Sequence, residues 1–169
     1  MTVSEAIASR RSIRRFKPGA VVEKDKIQAL LEAAMQAPSA CNTRPWEFIV
    51  ITSRDILEKI RKAHAFTNML ATASLAIVVC AIPEEQEGIS LGFFPQDCAA
   101  ATENILIKAV DLGLGACWCG VYPKEPLIAE VRDILSIKSI PFNVIAVGAP
   151  DEAPAPRGGF DPKKVKYVN

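Results

Sequence analysis

The stretch of the sequence whose residues could most clearly bind a ligand or take part in a reaction is SRRSIRRF, at positions 9–16. In it, Arg10, Arg11, Arg14 and Arg15 surround Ser12. A guanidinium group pairs bidentately with a phosphate, and a neighbouring serine hydroxyl adds a short hydrogen bond to the same anion. Arg10, Arg11 and Ser12 are therefore candidates for holding one phosphomonoester, or one negative charge that develops during a reaction.

The arginine cluster could instead belong to a nucleic-acid-binding surface or to a solvated helix end. A nucleic-acid-binding surface needs further basic residues and a basic overall balance. The chain has 20 Lys and Arg against 19 Asp and Glu, a formal net charge of +1, which disfavours a nucleic-acid partner. The solvated helix end stays open, because Lys and Arg favour helix C-termini.

A second candidate stretch is APSACNTRPW, at positions 37–46. Pro38 ends a helical pattern, Ser39 and Asn42 are turn formers, and an apolar strand pattern follows Pro45. Loops held between rigid elements often carry ligand-binding residues. The same composition also suits an ordinary connection between a helix and a strand.

Other catalytic chemistries have little support in the sequence. His64 is the single histidine, so a Ser-His-Asp triad or a multi-histidine metal site would depend on it alone. Its place after a surface-helix pattern predicts a solvated or capping side chain that catalysis does not need. The glycines of GLGACW follow a helical pattern rather than a strand, so they do not indicate a dinucleotide-binding loop. We expect no metal site.

The five cysteines follow neither a disulfide framework nor a zinc-site spacing. They stand at positions 41, 80, 98, 117 and 119. We expect reduced, mainly structural thiols and a cytoplasmic protein. The start of the chain lacks a signal-peptide pattern, and the apolar run LAIVVCAI is shorter than the ~20 residues of a membrane span, so no membrane partner is expected.

Helix and strand patterns alternate along the chain, and we expect one domain over residues 1–169. Helical spacing runs through residues 2–11, 23–37 and 94–115. The apolar runs EFIVI, LAIVVCAI and NVIAVG predict strands covered on both faces. The last helix is apolar on more than one face, which suits either a core helix or a subunit interface. A proline-rich tail over about residues 150–169 is expected to be extended.

The stretches RRSIRRF, APSACNTRPWEFIV and DCAAATENILIKAVDLGLGACWCGVYP, in this order, resemble the nitroreductase family of flavin enzymes. The ending, AVGAP followed by PRGGFDPKKVKY, also resembles the ending of that family. The resemblance covers nearly the whole chain. It implies an α+β, three-layer fold in which helices flank a central mixed, mostly antiparallel sheet. It further implies a homodimer with FMN bound in two sites at its interface.

The resemblance also assigns roles to residues of the arginine cluster. Arg10, Arg11 and Ser12 match amino-terminal flavin-binding positions of the family. Arg14 matches a basic position near the pyrimidine edge of the flavin, where it would stabilise negative charge. Arg157, in the tail, matches a basic residue that approaches the phosphate.

Two further groups of residues match flavin-binding positions of the family. One group belongs to the loop that reaches a flavin from the partner subunit: Pro38, Ser39 and Asn42. The other supplies backbone that lies against the isoalloxazine ring: Cys119 and Gly120. The family commonly has Gln where this chain has Arg44, so the contact made by Arg44 stays open.

The function implied by the resemblance is an FMN-dependent NADH or NADPH oxidoreductase. Hydride would pass through flavin N5 to small acceptors such as nitroaromatics or quinones, in a ping-pong reaction. The short segment 84–94 favours an open site and broad acceptors. The alternatives are a flavin-storage or flavin-sensing protein without turnover, a structural dimer without a working site, and a specialised reductase of the same family.

Overall fold

The computed structural model describes residues 1–155 and 157–168. Helices and strands alternate through this part of the chain. The α-helices are α1 (Val3–Ser9), α2 (Lys24–Met35), α3 (Arg54–Ala63), α4 (Phe94–Asp111) and α5 (Glu125–Leu135). The strands are β1 (Trp46–Ile51), β2 (Leu75–Ala81), β3 (Gly115–Gly120) and β4 (Ile140–Gly148). None of these helices is long and apolar enough to cross a membrane.

The four strands form one sheet in the order β1-β2-β4-β3, and every neighbouring pair is antiparallel. The expectation of a mostly antiparallel sheet is confirmed, and its mixed part is wrong for the strands of the described residues. Parallel pairing occurs only as an isolated bridge between Ser12 and Ala116 in the described part of the chain. The segment after α1 runs alongside β3 there without forming a full strand.

Helices pack on both faces of the sheet and give the expected three layers. Residues of β2 alternate between the two cores, as the two-residue period of a strand requires. Ile77 packs with Leu30 of α2 and Ile105 of α4, whereas Val78 packs with Leu57 of α3 and Val131 of α5. The sheet thus separates an α2/α4 layer from an α3/α5 layer.

Some elements differ from the sequence expectations. The strand predicted at EFIVI is present as β1, but it is not covered on both faces, because it lies at the sheet edge with Glu47 and Val50 exposed. The predicted helix 94–115 ends earlier, at Asp111, and Gly113 follows it in a left-handed conformation with φ of +70°. The sequence patterns predict neither strand β3 nor helix α5.

The segment that carries the arginines, residues 10–17, lies against the β3 edge of the sheet. The Ile13 amide donates to the Ala116 carbonyl at 2.9 Å, and the Lys17 amide donates to the Ala149 carbonyl at 2.9 Å. Ile13 and Phe16 are buried, and each lies where a glycine of the sheet, Gly115 or Gly148, provides room. This contact fixes the direction in which the arginine side chains point.

We predict that Gly115→Ala destabilises the flavin-free protein by about 1–3 kcal/mol, since the added Cβ would lie 2.8 Å from Cγ2 and 2.9 Å from Cβ of Ile13. Denaturant unfolding measures this change. The control is Gly120→Ala in the same strand, where a Cβ meets nothing within 4 Å and the free energy of unfolding should change by no more than about 0.5 kcal/mol. Equal losses in the two variants would show that the contact with Ile13 is unimportant.

Candidate functional site

A cavity of about 490 Å³ opens beside the end of α1 and brings the arginine segment together with the tail. Its lining includes every predicted residue of the segment, and the predicted Arg157 of the tail: Arg10, Arg11, Ser12, Arg14 and Arg157. Because Ile13 and Phe16 point into the protein, the neighbouring arginines are left on the cavity side and in solvent. We refer to this space as the arginine cavity.

Glu152 is the acidic residue of the arginine cavity, and it holds the segment in place. Its Oε1 accepts hydrogen bonds from the backbone amides of Arg14 and Arg15, and its Oε2 lies 3.4 Å from Arg15 Nε. The Arg14 amide, chiefly, holds the pKa of Glu152 below its usual value. Its oxygens are therefore engaged with the amides of the segment and with Arg15, which does not line this cavity.

Arg10 and Arg11 play different parts in this cavity. Arg11 Nε donates to the Ala155 carbonyl at 3.1 Å and its Nη1 donates to the Ala8 carbonyl at 3.0 Å, so Arg11 joins the end of α1 to the tail. Arg10 makes one ion pair, 3.4 Å from Nε to Oε1 of Glu103. Arg10 is therefore the freer of the two to bind a phosphate.

A second cavity, also of about 490 Å³, adjoins the first and shares Arg14 with it. Residues 117–120 of β3 form one wall, and residues 64–66, 68 and 69 form the other. An added Cβ at Gly120 would meet nothing within 4 Å, so the wall is open at this point. We refer to this space as the strand cavity. The predicted Cys119 and Gly120 line this cavity together with Arg14.

His64 lines the strand cavity, and its surroundings correct the sequence expectation. It is the C-cap residue of α3, but its backbone amide and not its side chain makes the capping hydrogen bond, to the Ile60 carbonyl at 2.9 Å, and the residue is only 4% exposed rather than solvated. Its two ring nitrogens explain this burial: Nε2 lies 2.8 Å from the Gly120 carbonyl oxygen, and Nδ1 accepts from the Phe66 amide at 3.1 Å. The ring thereby joins the two walls of the strand cavity.

Cys117 and Cys119 lie two residues apart on β3 and both line the strand cavity. The neighbouring Cys119 thiol lowers the pKa of Cys117 against the opposing effect of burial, and the Arg14 charge lowers it further. The same interaction raises the pKa of Cys119. Burial raises the pKa of Cys80 and of Cys98 to about 12, as expected for structural thiols. All five cysteines are free.

The predicted residues Pro38, Ser39 and Asn42 lie elsewhere, on the loop between α2 and β1. Among the described residues, none of this loop lines either cavity. Ser39 Oγ accepts from the Arg44 amide at 2.9 Å, and Asn42 Oδ1 accepts from Arg44 Nε at 3.2 Å. Arg44 therefore turns back onto its own loop within a single chain.

Comparison with known proteins identifies the family of this chain. The model of the nitroreductase family matches residues 7–68 and 65–149. A protein of Methanothermobacter thermautotrophicus, named "Putative NADH dehydrogenase/NAD(P)H nitroreductase", is 46% identical over 98% of this chain and 86% of its own length. The chain belongs to the nitroreductase family.

Solved structures show the same fold. An FMN-dependent nitroreductase of Clostridium difficile is 30% identical and superimposes with a TM-score of 0.88, over 97% of this chain and 98% of that one. A protein of Desulfovibrio desulfuricans, described as a putative nitroreductase in complex with FMN, is 25% identical with a TM-score of 0.84, over 100% and 98% of the two chains.

We predict that one thiol of the flavin-free protein ionises at lower pH than an ordinary cysteine. The ultraviolet absorbance of the thiolate, followed against pH, measures this ionisation. Cys117→Ala should remove the early step, and Cys119→Ala should move it to higher pH because the Cys117 thiolate loses the neighbouring thiol that lowers its pKa. Cys80→Ala serves as the control and should leave the early step unchanged. An early step that survives in Cys117→Ala would contradict the assignment.

Proposed function

We propose that this chain is an FMN-dependent NAD(P)H oxidoreductase that reduces small electron acceptors such as nitroaromatics or quinones. The observation that carries the proposal is the meeting of the two cavities at Arg14. One cavity offers guanidinium groups for a phosphate, and the other offers an open strand backbone for a flat ring. The FMN named for two of the structural relatives supports the same cofactor here.

The residues of the two cavities suit the parts of FMN. Arg10, Ser12 and Arg157 would hold the phosphate, which carries two negative charges that the arginine cavity can balance. The backbone at Cys119 and Gly120 would lie against the isoalloxazine ring, where the missing side chain of Gly120 permits close approach. Arg14, at the junction, would stabilise negative charge at the edge of the ring.

Bound FMN supplies hydride transfer at N5, between a reduced nicotinamide and the acceptor. The protein's own contribution is to hold the ring flat against β3 and to place a fixed positive charge beside it. His64 has both ring nitrogens engaged by main-chain atoms, so it is assigned to structure and not to proton transfer. Solvent supplies the protons.

We further propose that the chain works as a homodimer. Val3 and Ile7 of α1 are 72% and 57% exposed, so the apolar face of this helix is uncovered in a single chain. The tail adds exposed apolar side chains at Phe160, Tyr167 and Val168. A second copy would cover these groups, and its loop between α2 and β1 would bring Pro38, Ser39 and Asn42 to the flavin.

We predict that Arg10→Gln weakens FMN binding by about 10–100-fold, because a charge-assisted hydrogen bond to the phosphate contributes roughly 1.5–3 kcal/mol. Riboflavin, which lacks the phosphate, should lose less than about threefold. Fluorescence titration of both ligands measures the two losses. Arg15→Gln is the control, since the 72% exposed Arg15 side chain does not line the arginine cavity. Equal losses of FMN and riboflavin in Arg10→Gln would refute the phosphate assignment.

The oxidoreductase assignment is tested with NADH and with NADPH, each against a quinone or a nitroaromatic acceptor. Nicotinamide and acceptor should use the strand cavity in turn, so double-reciprocal plots at several acceptor concentrations should give parallel lines. Intersecting lines would contradict the alternating use of one cavity. A protein that binds FMN but is reduced by neither nicotinamide would instead be a flavin-storage or flavin-sensing protein.

A further inference from the structure

The loop between α2 and β1 has an unusual backbone. Cys41, Asn42 and Arg44 have φ values of 52°, 56° and 52°, in the left-handed region that side chains other than glycine rarely adopt. Such a conformation persists only where surrounding contacts determine it. The loop therefore needs an external contact that keeps it in shape.

Most hydrogen bonds of residues 38–44 are made within the loop itself. Ser39 accepts from the amides of Asn42 and Arg44, and the amide and hydroxyl of Thr43 both donate to the Ala40 carbonyl. Among the described residues, the one hydrogen bond that joins residues 38–44 to a distant part of the chain runs from the Ala40 amide to Asp97 Oδ1, at 3.0 Å. At the end of the same loop, the Pro45 carbonyl accepts from the Ile82 amide at 2.9 Å. Asp97 thus provides the external hydrogen bond of the left-handed part of the loop.

Asp97 also contacts a second surface segment. Its Oδ2 accepts from Gln86 Nε2 at 3.1 Å, and Gln86 Oε1 accepts from the Phe94 amide at 3.2 Å. Both side chains are buried, each 5% exposed. Gln86 belongs to the connection between β2 and α4, residues 82–93, whose Ile89 and Leu91 are exposed. One buried carboxylate in the first turn of α4 therefore joins the loop to this connection.

We propose that Asp97 is a positioning residue for flavin binding. It holds the loop 38–44 in the conformation that presents Ser39 and Asn42 to the flavin of a second copy, and through Gln86 it makes the loop and the connection 82–93 one rigid unit. This inference rests on the proposed function, because the loop contacts the cofactor only in the proposed dimer. Asp97 itself acts through the loop and does not touch the flavin.

The test compares Asp97→Ala with Thr102→Val in the full-length protein. Thr102 is a buried polar residue of the same helix, and its hydroxyl bonds to Asn143 and to the Cys98 carbonyl rather than to the loop. Asp97→Ala leaves the Ala40 amide unpaired and should raise the FMN dissociation constant about tenfold or more. Thr102→Val should lower the unfolding midpoint but leave FMN binding within about twofold. Similar FMN losses in both variants would overturn the proposal.

A double-mutant cycle separates positioning from general destabilisation. If Asp97 acts through the loop, Asp97→Ala should add less than about twofold to the FMN loss already caused by Asn42→Ala. If the loss of FMN affinity in the double variant equals the product of the losses in the two single variants, Asp97 acts independently of Asn42 and the loop. If Asp97→Ala fails to fold, Ala40→Pro removes the same hydrogen bond from the other side. Ser39 has the extended backbone that precedes proline, with ψ of 156°, and this variant should reproduce the FMN loss.

Amide hydrogen exchange of the flavin-free protein tests the positioning step without the cofactor. Exchange over residues 38–44 should be at least about tenfold faster in Asp97→Ala than in Thr102→Val, because the loop has lost its external hydrogen bond. Equal exchange in the two variants would overturn the proposal even if FMN binds. If Asp97→Ala exchanges faster but the wild-type protein binds no FMN, the proposed function is refuted while the role of Asp97 in holding the loop is supported.

Discussion

The contact of residues 10–17 with the β3 edge is the constraint on which the rest of the site depends. Ile13 reaches the sheet because Gly115 has no side chain, and Phe16 does so beside Gly148. Because Ile13 and Phe16 are buried, the neighbouring arginine side chains face the cavity or solvent. The absence of a Cβ atom at Gly115 and at Gly148 thereby determines which way the neighbouring arginine side chains face.

Strand β3 carries both halves of the candidate site as a consequence. Its first residues receive the arginine segment, and its last residues, up to Gly120, form a wall of the strand cavity. The separation between the arginine cavity and the strand cavity is therefore set along one strand. Glu152 from the tail and His64 from the end of α3 fix the two ends of this arrangement through main-chain hydrogen bonds.

The sequence patterns predict the parts of the fold whose local signals are strong. The β-branched runs indicate β1, β2 and β4, and apolar spacing together with Pro95 and Gly113 indicates α4. Strand β3, with the sequence GACWCG, has no β-branched residue, and it forms because β4 and the segment 10–17 lie on either side of it. Glu152, the burial of His64 and the role of Asp97 depend on contacts between distant segments, which spacing along the chain does not record.

In the proposed assembly, the two cavities hold FMN at an interface between two copies of this chain. Velocity sedimentation, recorded at the visible absorbance of the flavin after mixing the protein with FMN, tests this assembly. We expect the flavin absorbance to sediment with a species of about twice the 18.3 kDa chain mass. Flavin absorbance that stays unsedimented, or that travels with a single chain, would contradict the proposed assembly.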